Sequence, residues 1–347
     1  GRLRQPVDLA VCRQMNVCFN AFVRISKFLT HRTSGPNKFE GYTPRMIEFW
    51  IPITIAAAFF QNLRSALQKH LKSQLTTAGA TYVRFFYAWP FAIFYVWGLS
   101  HWGGLALPQH NNIFLLYCVL GGATQILSTA LMVWMFSFRN FAVGTTYSKT
   151  EIAQVAFLGL ILLGDTLTIT AVVAIAISLG GIMALSAAQT RITVSALFSG
   201  MTEKATLIGL ASGAFLGASV VFFRGASLAL NHESAVMAAA FALAVSLVLQ
   251  TIVMGVYLLF RERSTLVDVI RNWRWALAVG VAGVLGSICW FTAFTLQNAA
   301  YVRALGQIEL IFTFIASFFF FKEKTTLKEL FGIVAIMSSI LVIVLVD

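Results

Sequence analysis

Blocks of about 20 apolar residues follow one another along this chain from residue 46 onward, separated by short polar breaks. Each block is long enough to cross a hydrocarbon core of about 30 Å as a helix. Ten spans can be drawn, over 48–68, 78–98, 113–136, 141–163, 167–187, 205–229, 235–260, 275–296, 299–321 and 327–346. No alternating pattern of barrel strands runs through them, and open strands leave backbone groups unsatisfied in lipid, so the pattern predicts helices. The breaks include the runs SHWGGLALPQHNN before the third span, GDT before the fifth and KEKTT before the tenth. The expected fold is an all-α polytopic membrane protein.

The pattern also repeats. Shifted by 158 positions, the stretch from Gly122 falls on the stretch from Gly280 without a gap, so that Leu127 meets Leu285, Phe136 meets Phe294, Asn140 meets Asn298 and Glu151 meets Glu309. The run AAQTRITVSALFSGMTEK joins the halves, which gives a first five-helix repeat over 46–190 and a second over 203–347. A unit with an odd number of spans enters the bilayer upside down in its second copy, so the expectation is two inverted five-helix repeats. That is an architecture of secondary transporters, with the site at the repeat interface near the midplane.

Composition agrees with a bilayer setting. The chain is 59% hydrophobic and 11% charged, against roughly 25% charged in soluble domains. The net charge of +12 gathers in a basic tail over 1–45 and in the loops after odd-numbered spans, which hold Lys69, Lys72, Arg139, Arg191, Lys204, Arg261, Arg263, Arg271, Arg274, Lys322 and Lys324. It therefore reads as membrane topology and not as nucleic-acid binding. Positive loops face the cytoplasm, which places those loops inside and both ends of the ten-span core outside. The tail prefers the cytoplasm by the same rule, and the two signals conflict. The tail is either an amphipathic helix on an anionic membrane face or a loosely ordered segment.

Few polar residues lie inside the spans. Glu151 and Glu309 stand at equivalent positions near the bilayer centre, where a charge is costly unless paired or wet. They are candidates for substrate or proton binding, with ion pairing to Lys149 or Arg303 as the alternative. Lys149 is two residues from Glu151, on another helix face. Lys149 corresponds to Gln307 and Arg303 to Thr145, an asymmetry that would suit an asymmetric solute. Gln61 and Asn62 are polar and deep, and are expected to face the bundle interior. Tyr147 and Trp290 neighbour these groups and complete the candidate site. Arg64, Arg224 and Arg84 are read as snorkelling or capping residues near one face. Gly209, Gly213 and Gly217 in the sixth span, with Gly280, Gly283 and Gly286 in the eighth, mark close helix contact. The four cysteines Cys12, Cys18, Cys118 and Cys289 lack metal or redox spacing, and the histidines lie in loops or the tail. No phosphate loop, metal cluster or nucleophile elbow is present, so neither a cofactor, a metal nor an enzymatic activity is expected.

The ten spans, the two halves and the polar turns that close the fourth and ninth spans, LLGDTLT with Gly164 and Asp165 and FFKEKTT with Lys322 and Glu323, resemble the drug/metabolite transporter superfamily, in particular its EamA-type members. The resemblance covers residues 46 to 346. It implies a central cavity lined by spans 1, 3, 4, 6, 8 and 9, alternating access, export of small metabolites, and Asp165 and Glu323 as structural end-markers. Small four-span relatives exchange protons through a glutamate in their first span. This chain has none at mid-span there, since Glu48 stands at its start, and Glu151 and Glu309 are the substitutes. Relatives are described with cytoplasmic termini, against the loop charges. The combined expectation is a multi-pass bacterial inner-membrane exporter of an amino-acid-like solute, with a small molecule and the bilayer as partners, either a monomer or a homodimer. The rivals are a nucleotide-sugar-like anion exchanger and a non-transporting scaffold or sensor of the same fold.

Overall fold

A computed structural model describes residues 49–71, 75–135, 138, 141–190, 203–312 and 326–346. The basic tail, the linker at 191–202 and the KEKTT turn lie outside the described residues. Among the described residues there are thirteen helices: α1 (Trp50–Leu71), α2 (Thr77–Phe86), α3 (Trp89–His101), α4 (Asn112–Met135), α5 (Phe141–Ser148), α6 (Glu151–Leu163), α7 (Ile169–Thr190), α8 (Lys204–Ala229), α9 (Ala235–Arg261), α10 (Arg263–Arg271), α11 (Trp273–Leu296), α12 (Ala299–Leu305) and α13 (Leu327–Val346). No strand occurs among the described residues. Five of them, α4, α7, α8, α9 and α11, carry stretches long and apolar enough to cross a membrane.

The helix ends follow local chemistry. Asn111 Oδ1 accepts from the Phe114 amide at 2.7 Å, Thr76 Oγ1 from Gly79 at 3.1 Å and Ser234 Oγ from Met237 at 3.3 Å. Each satisfies an amide that the first turn leaves without a partner. Gly164 closes α6 in the left-handed conformation, with φ 69°, which a glycine adopts without steric cost.

Three expected spans are interrupted. The second breaks at Tyr87 and Ala88, because Pro90 sits in the first turn of α3 and cannot continue the preceding hydrogen-bond ladder. The fourth breaks at Lys149 and Thr150 between α5 and α6, and the ninth at Gly306 and Gln307 after α12. At both of the latter sites the backbone tightens to three-residue hydrogen bonds, Lys149 to Thr146 at 3.2 Å and Gln307 to Ala304 at 3.2 Å. The loop expected after the seventh span contains a further helix, α10, whose Thr265 and Val269 are buried.

The exterior is apolar. Phe94, Leu116, Trp134, Phe157, Ile161, Val253, Phe260 and Phe331 are exposed, as lipid-facing side chains are. The interior core draws on α1, α6, α7, α8, α11, α12 and α13, around Ile152, Val155, Val221, Ala293, Ala299, Leu305 and Ile336. The principal packings are α8 on α4, α7 on α13 and α1 on α11, followed by α8 on α5 and α6. Reciprocal bonds pin the first of these, with Ser128 Oγ donating to the Ser212 carbonyl at 2.8 Å and Ser212 Oγ to the Ser128 carbonyl at 2.9 Å. At one end of the bundle Thr76 Oγ1 reaches Glu262 at 3.1 Å. At another, Asn111 donates to the Ala229 carbonyl at 2.7 Å and His232 lies 2.8 Å from the Ala106 carbonyl.

Candidate functional site

The two interrupted spans bring their polar residues together. Helix α6 starts at Glu151, and a carboxylate in the first turn is favoured by the unpaired amides and the positive end of the helix dipole. Helix α12 packs on α6 and on α1, which places residues 303–309 beside both. Arg303 forms an ion pair with Glu151, and Lys149 Nζ lies 3.7 Å from Glu309 Oε1. Each glutamate is thus met by a cation from the other half of the chain, and Lys149 does not pair with its neighbour Glu151.

A second layer holds Glu309 from α1. Gln61 Nε2 donates to Glu309 Oε2, and Asn62 Nδ2 donates to the Glu309 carbonyl at 2.8 Å. Trp290 Nε1 in turn donates to Gln61 Oε1 at 3.0 Å. The Arg303 guanidinium lies 5.1 Å from the Trp290 ring centroid, in cation–π range, so Trp290 links both ion pairs. Seven of the eight residues singled out in the sequence, Gln61, Asn62, Lys149, Glu151, Trp290, Arg303 and Glu309, form this one network. Tyr147 packs in an apolar cluster with Val143 and Ala187, against Met183 and Leu210.

The two ion pairs differ in access. The side chains of Arg303 and Glu151 are 10% and 6% exposed, those of Lys149 and Glu309 36% and 14%. The Arg303–Glu151 pair is sealed into the core, while the Lys149–Glu309 pair is longer and open on the lysine side.

The arginines expected near headgroups divide. Arg224 forms a fork with Asp165, Nε to Oδ2 at 3.1 Å and Nη2 to Oδ1 at 3.2 Å. It also donates to the carbonyls of Phe294 and, at 2.5 Å, Gln297, where α11 ends. It caps, as expected, and Asp165 marks the end of its span through this bond. The corresponding turn at Lys322 and Glu323 lies outside the described residues. Arg64 and Arg84 instead line a small interior cavity. Sequence reasoning missed the helix breaks themselves. The polar trio Ser148–Lys149–Thr150 and Gly306 are the signal that marks them.

The glycines serve contact. A Cβ at Gly213 would lie 2.7 Å from the Ser148 carbonyl oxygen, and one at Gly209 would strike the Gly144 carbonyl. These two residues let α8 lie directly on α5 at the break. Gly286 would meet Phe60 at 3.4 Å, where α11 crosses α1.

Residues 203–345 match the model of the EamA-like transporter family. A solved structure described only as "Crystal structure of protein" is similar at 13% identity, over 85% of this chain and 96% of that chain, with a TM-score of 0.60, a likeness that concerns the fold alone. No curated protein matches. Residues 203–345 thus match the EamA-like transporter family, a member of the drug/metabolite transporter superfamily, and together with the apolar helices this match supports a multi-pass integral membrane protein.

Proposed function

We propose that the chain is a ten-span secondary transporter, built from two inverted repeats over 46–190 and 203–347, that exports an amino-acid-like solute by alternating access around the Glu151–Glu309 network. The observation that carries this reading is the crossing of the two ion pairs between halves, Lys149 to Glu309 and Glu151 to Arg303, at helix interruptions in corresponding positions. Interrupted helices at equivalent places in the two halves are where transporters of this kind bind solute. An ammonium group would compete with Lys149 for Glu309, and the halves would rock about the sealed Arg303–Glu151 pair.

Support for the repeat comes from packing. Exchanging the halves converts α1 on α11 into α8 on α4, and α12 on α1 into α5 on α8, while α7 on α13 pairs equivalent elements. All of these contacts occur.

The test uses purified protein in liposomes with a pH-sensitive dye inside, challenged with pools of amino acids and followed by radiolabelled counterflow. Solute-dependent flux is expected, with proton movement if Glu309 carries the proton. Replacing Glu309 by Gln would then abolish dependence on the pH gradient. Tight binding of sugar nucleotides with no amino-acid flux would favour the anion exchanger, and neither signal would favour a non-transporting role.

A further inference from the structure

Between α1, α2, α4, α8, α9 and α11 lies a cavity of about 20 Å³, lined by Arg64, Arg84, Gln125, Ser246, Gln250 and Ser287 among others. Such a volume holds about one water-sized group. Neither arginine forms a direct ion pair: among the described residues no carboxylate lies within 4.0 Å of either, the three ion pairs found being those of Lys149, Arg224 and Arg303. The Nε of Arg64 is buried without a hydrogen-bond partner. The guanidinium of Arg84 lies 5.0 Å from the Phe85 ring centroid. Gln250 Nε2 donates to Gln125 Oε1 at 2.6 Å on the same wall.

The contrast with Arg224 is instructive. Arg224 holds a comparable place in α8, and every polar direction around it is answered by Asp165 or by the carbonyls of Phe294 and Gln297. Two guanidiniums gathered inside the bundle without a direct anionic partner repel each other and lose part of their hydration, a cost that proteins offset by pairing. A lipid-facing arginine would reach outward to headgroups, but these two share an interior cavity. A carboxylate meets a guanidinium through two parallel N–H···O bonds and would satisfy both residues at once.

The cavity also adjoins the glutamate network. Gln61, which holds Glu309, and Arg64 are three residues apart on α1, about 4.5 Å along the helix axis. Both side chains reach α11: a Cβ at Gly283 would touch Arg64 Cδ at 3.5 Å, and Gln61 Oε1 accepts from Trp290 Nε1 at 3.0 Å.

We propose that the Arg64–Arg84 cavity is the subsite for the carboxylate of the transported solute, with Glu309 one helical turn away facing its cationic end. This rests on the transporter reading above for the word transported; binding of a carboxylate to the two arginines stands on the cavity itself.

The probe is acetate, followed by saturation-transfer NMR on the purified full-length chain in detergent. Saturable binding is expected in the unmodified protein, weakened at least tenfold in R64Q and in R84Q, and unchanged in R271Q, where an exposed arginine of α10 is removed. A second measurement needs no variant: acetate should slow the reaction of Arg64 with phenylglyoxal, read by peptide mass spectrometry. Absence of acetate binding, or equal binding in R64Q and R84Q, would overturn the subsite, as would equal labelling with and without acetate. Counterflow in liposomes separates the two readings. Amino-acid flux that is undiminished in R64Q removes the subsite and leaves the transporter. Acetate binding that depends on Arg64, in a protein that moves no amino acid, removes the proposed transport and keeps the binding site.

Discussion

Glu151 and Glu309 occupy equivalent places in the two halves but differ in burial, and the difference predicts different consequences for their loss. Glu151 is sealed against Arg303, whose Nε is already buried without a partner. Neutralising one member of a buried pair strands the other charge and costs about 3–5 kcal/mol. Glu151→Gln should therefore lower the unfolding temperature in detergent by many degrees. Lys149 is 36% exposed, at 3.7 Å from Glu309, a geometry worth at most about 1 kcal/mol. Lys149→Gln should leave the unfolding temperature nearly unchanged and alter solute affinity instead. Equal destabilisation by the two substitutions, measured by thermal unfolding of the purified proteins, would show that the pairs do not divide into a structural one and a working one.

Interrupted helices are the elements on which the site depends, and their spacing relies on α8. Because a Cβ at Gly213 would lie 2.7 Å from the Ser148 carbonyl oxygen, with backbone and not a flexible tip as the neighbour, Gly213→Leu should force α8 away from the α5–α6 break. The expected result is a lower unfolding temperature together with loss of solute-dependent flux. Gly180, with no atom within 4 Å of a built Cβ, should accept alanine without effect. A second element-level test concerns the end of α11. Arg224 forks onto Asp165 and caps two carbonyls there, so Arg224→Gln should destabilise more than Asp165→Asn. The double substitution should cost less than the sum, because the two share one interaction.

These elements also show what a sequence does and does not make legible. Apolar blocks located the helices, since a bilayer-length run has few alternatives. The coincidence of Glu151 with Glu309 at one offset singled out the two carboxylates that the ion-pair network joins, since a charge at that depth needs a reason. The breaks were harder to see, because nothing in Ser148–Lys149–Thr150 forbids a helix and the interruption follows from packing against α8 and α12. Pro90 breaks the second span, but the apolar block runs through it and predicts a continuous span over 78–98. Arg64 was assigned to the headgroups because sequence position gives depth but not the face a residue presents, and α11 and α9 cover that face. Tyr147, singled out by its neighbours in sequence, packs with Val143 and Ala187.

At the scale of the whole molecule, the proposed inversion of the halves fixes which loops share a side. Thr76, after α1, bonds to Glu262, after α9, at 3.1 Å. The segment after α8, with Ala229 and His232, bonds to the segment after α3, with Ala106 and Asn111. The chain passes from the first group to the second through α2 and α3, so the loop that follows the first span and the loop that follows its equivalent, the sixth, belong to opposite ends. A repeat in parallel orientation would place those two loops together. The basic residues Arg261, Arg263, Arg271 and Arg274 accompany Glu262, and the positive-inside rule assigns that end to the cytoplasm. In a chain whose four cysteines are replaced by serine, Ser264→Cys should therefore react with a membrane-impermeant maleimide only from the cytoplasmic side. Gln109→Cys and Glu233→Cys should react only from the opposite side. Labelling of Gln109→Cys and Glu233→Cys from different sides would refute the inverted repeat. A uniform reversal of all three would keep the repeat and assign the cytoplasm by the basic tail at 1–45, against the charges of the loops.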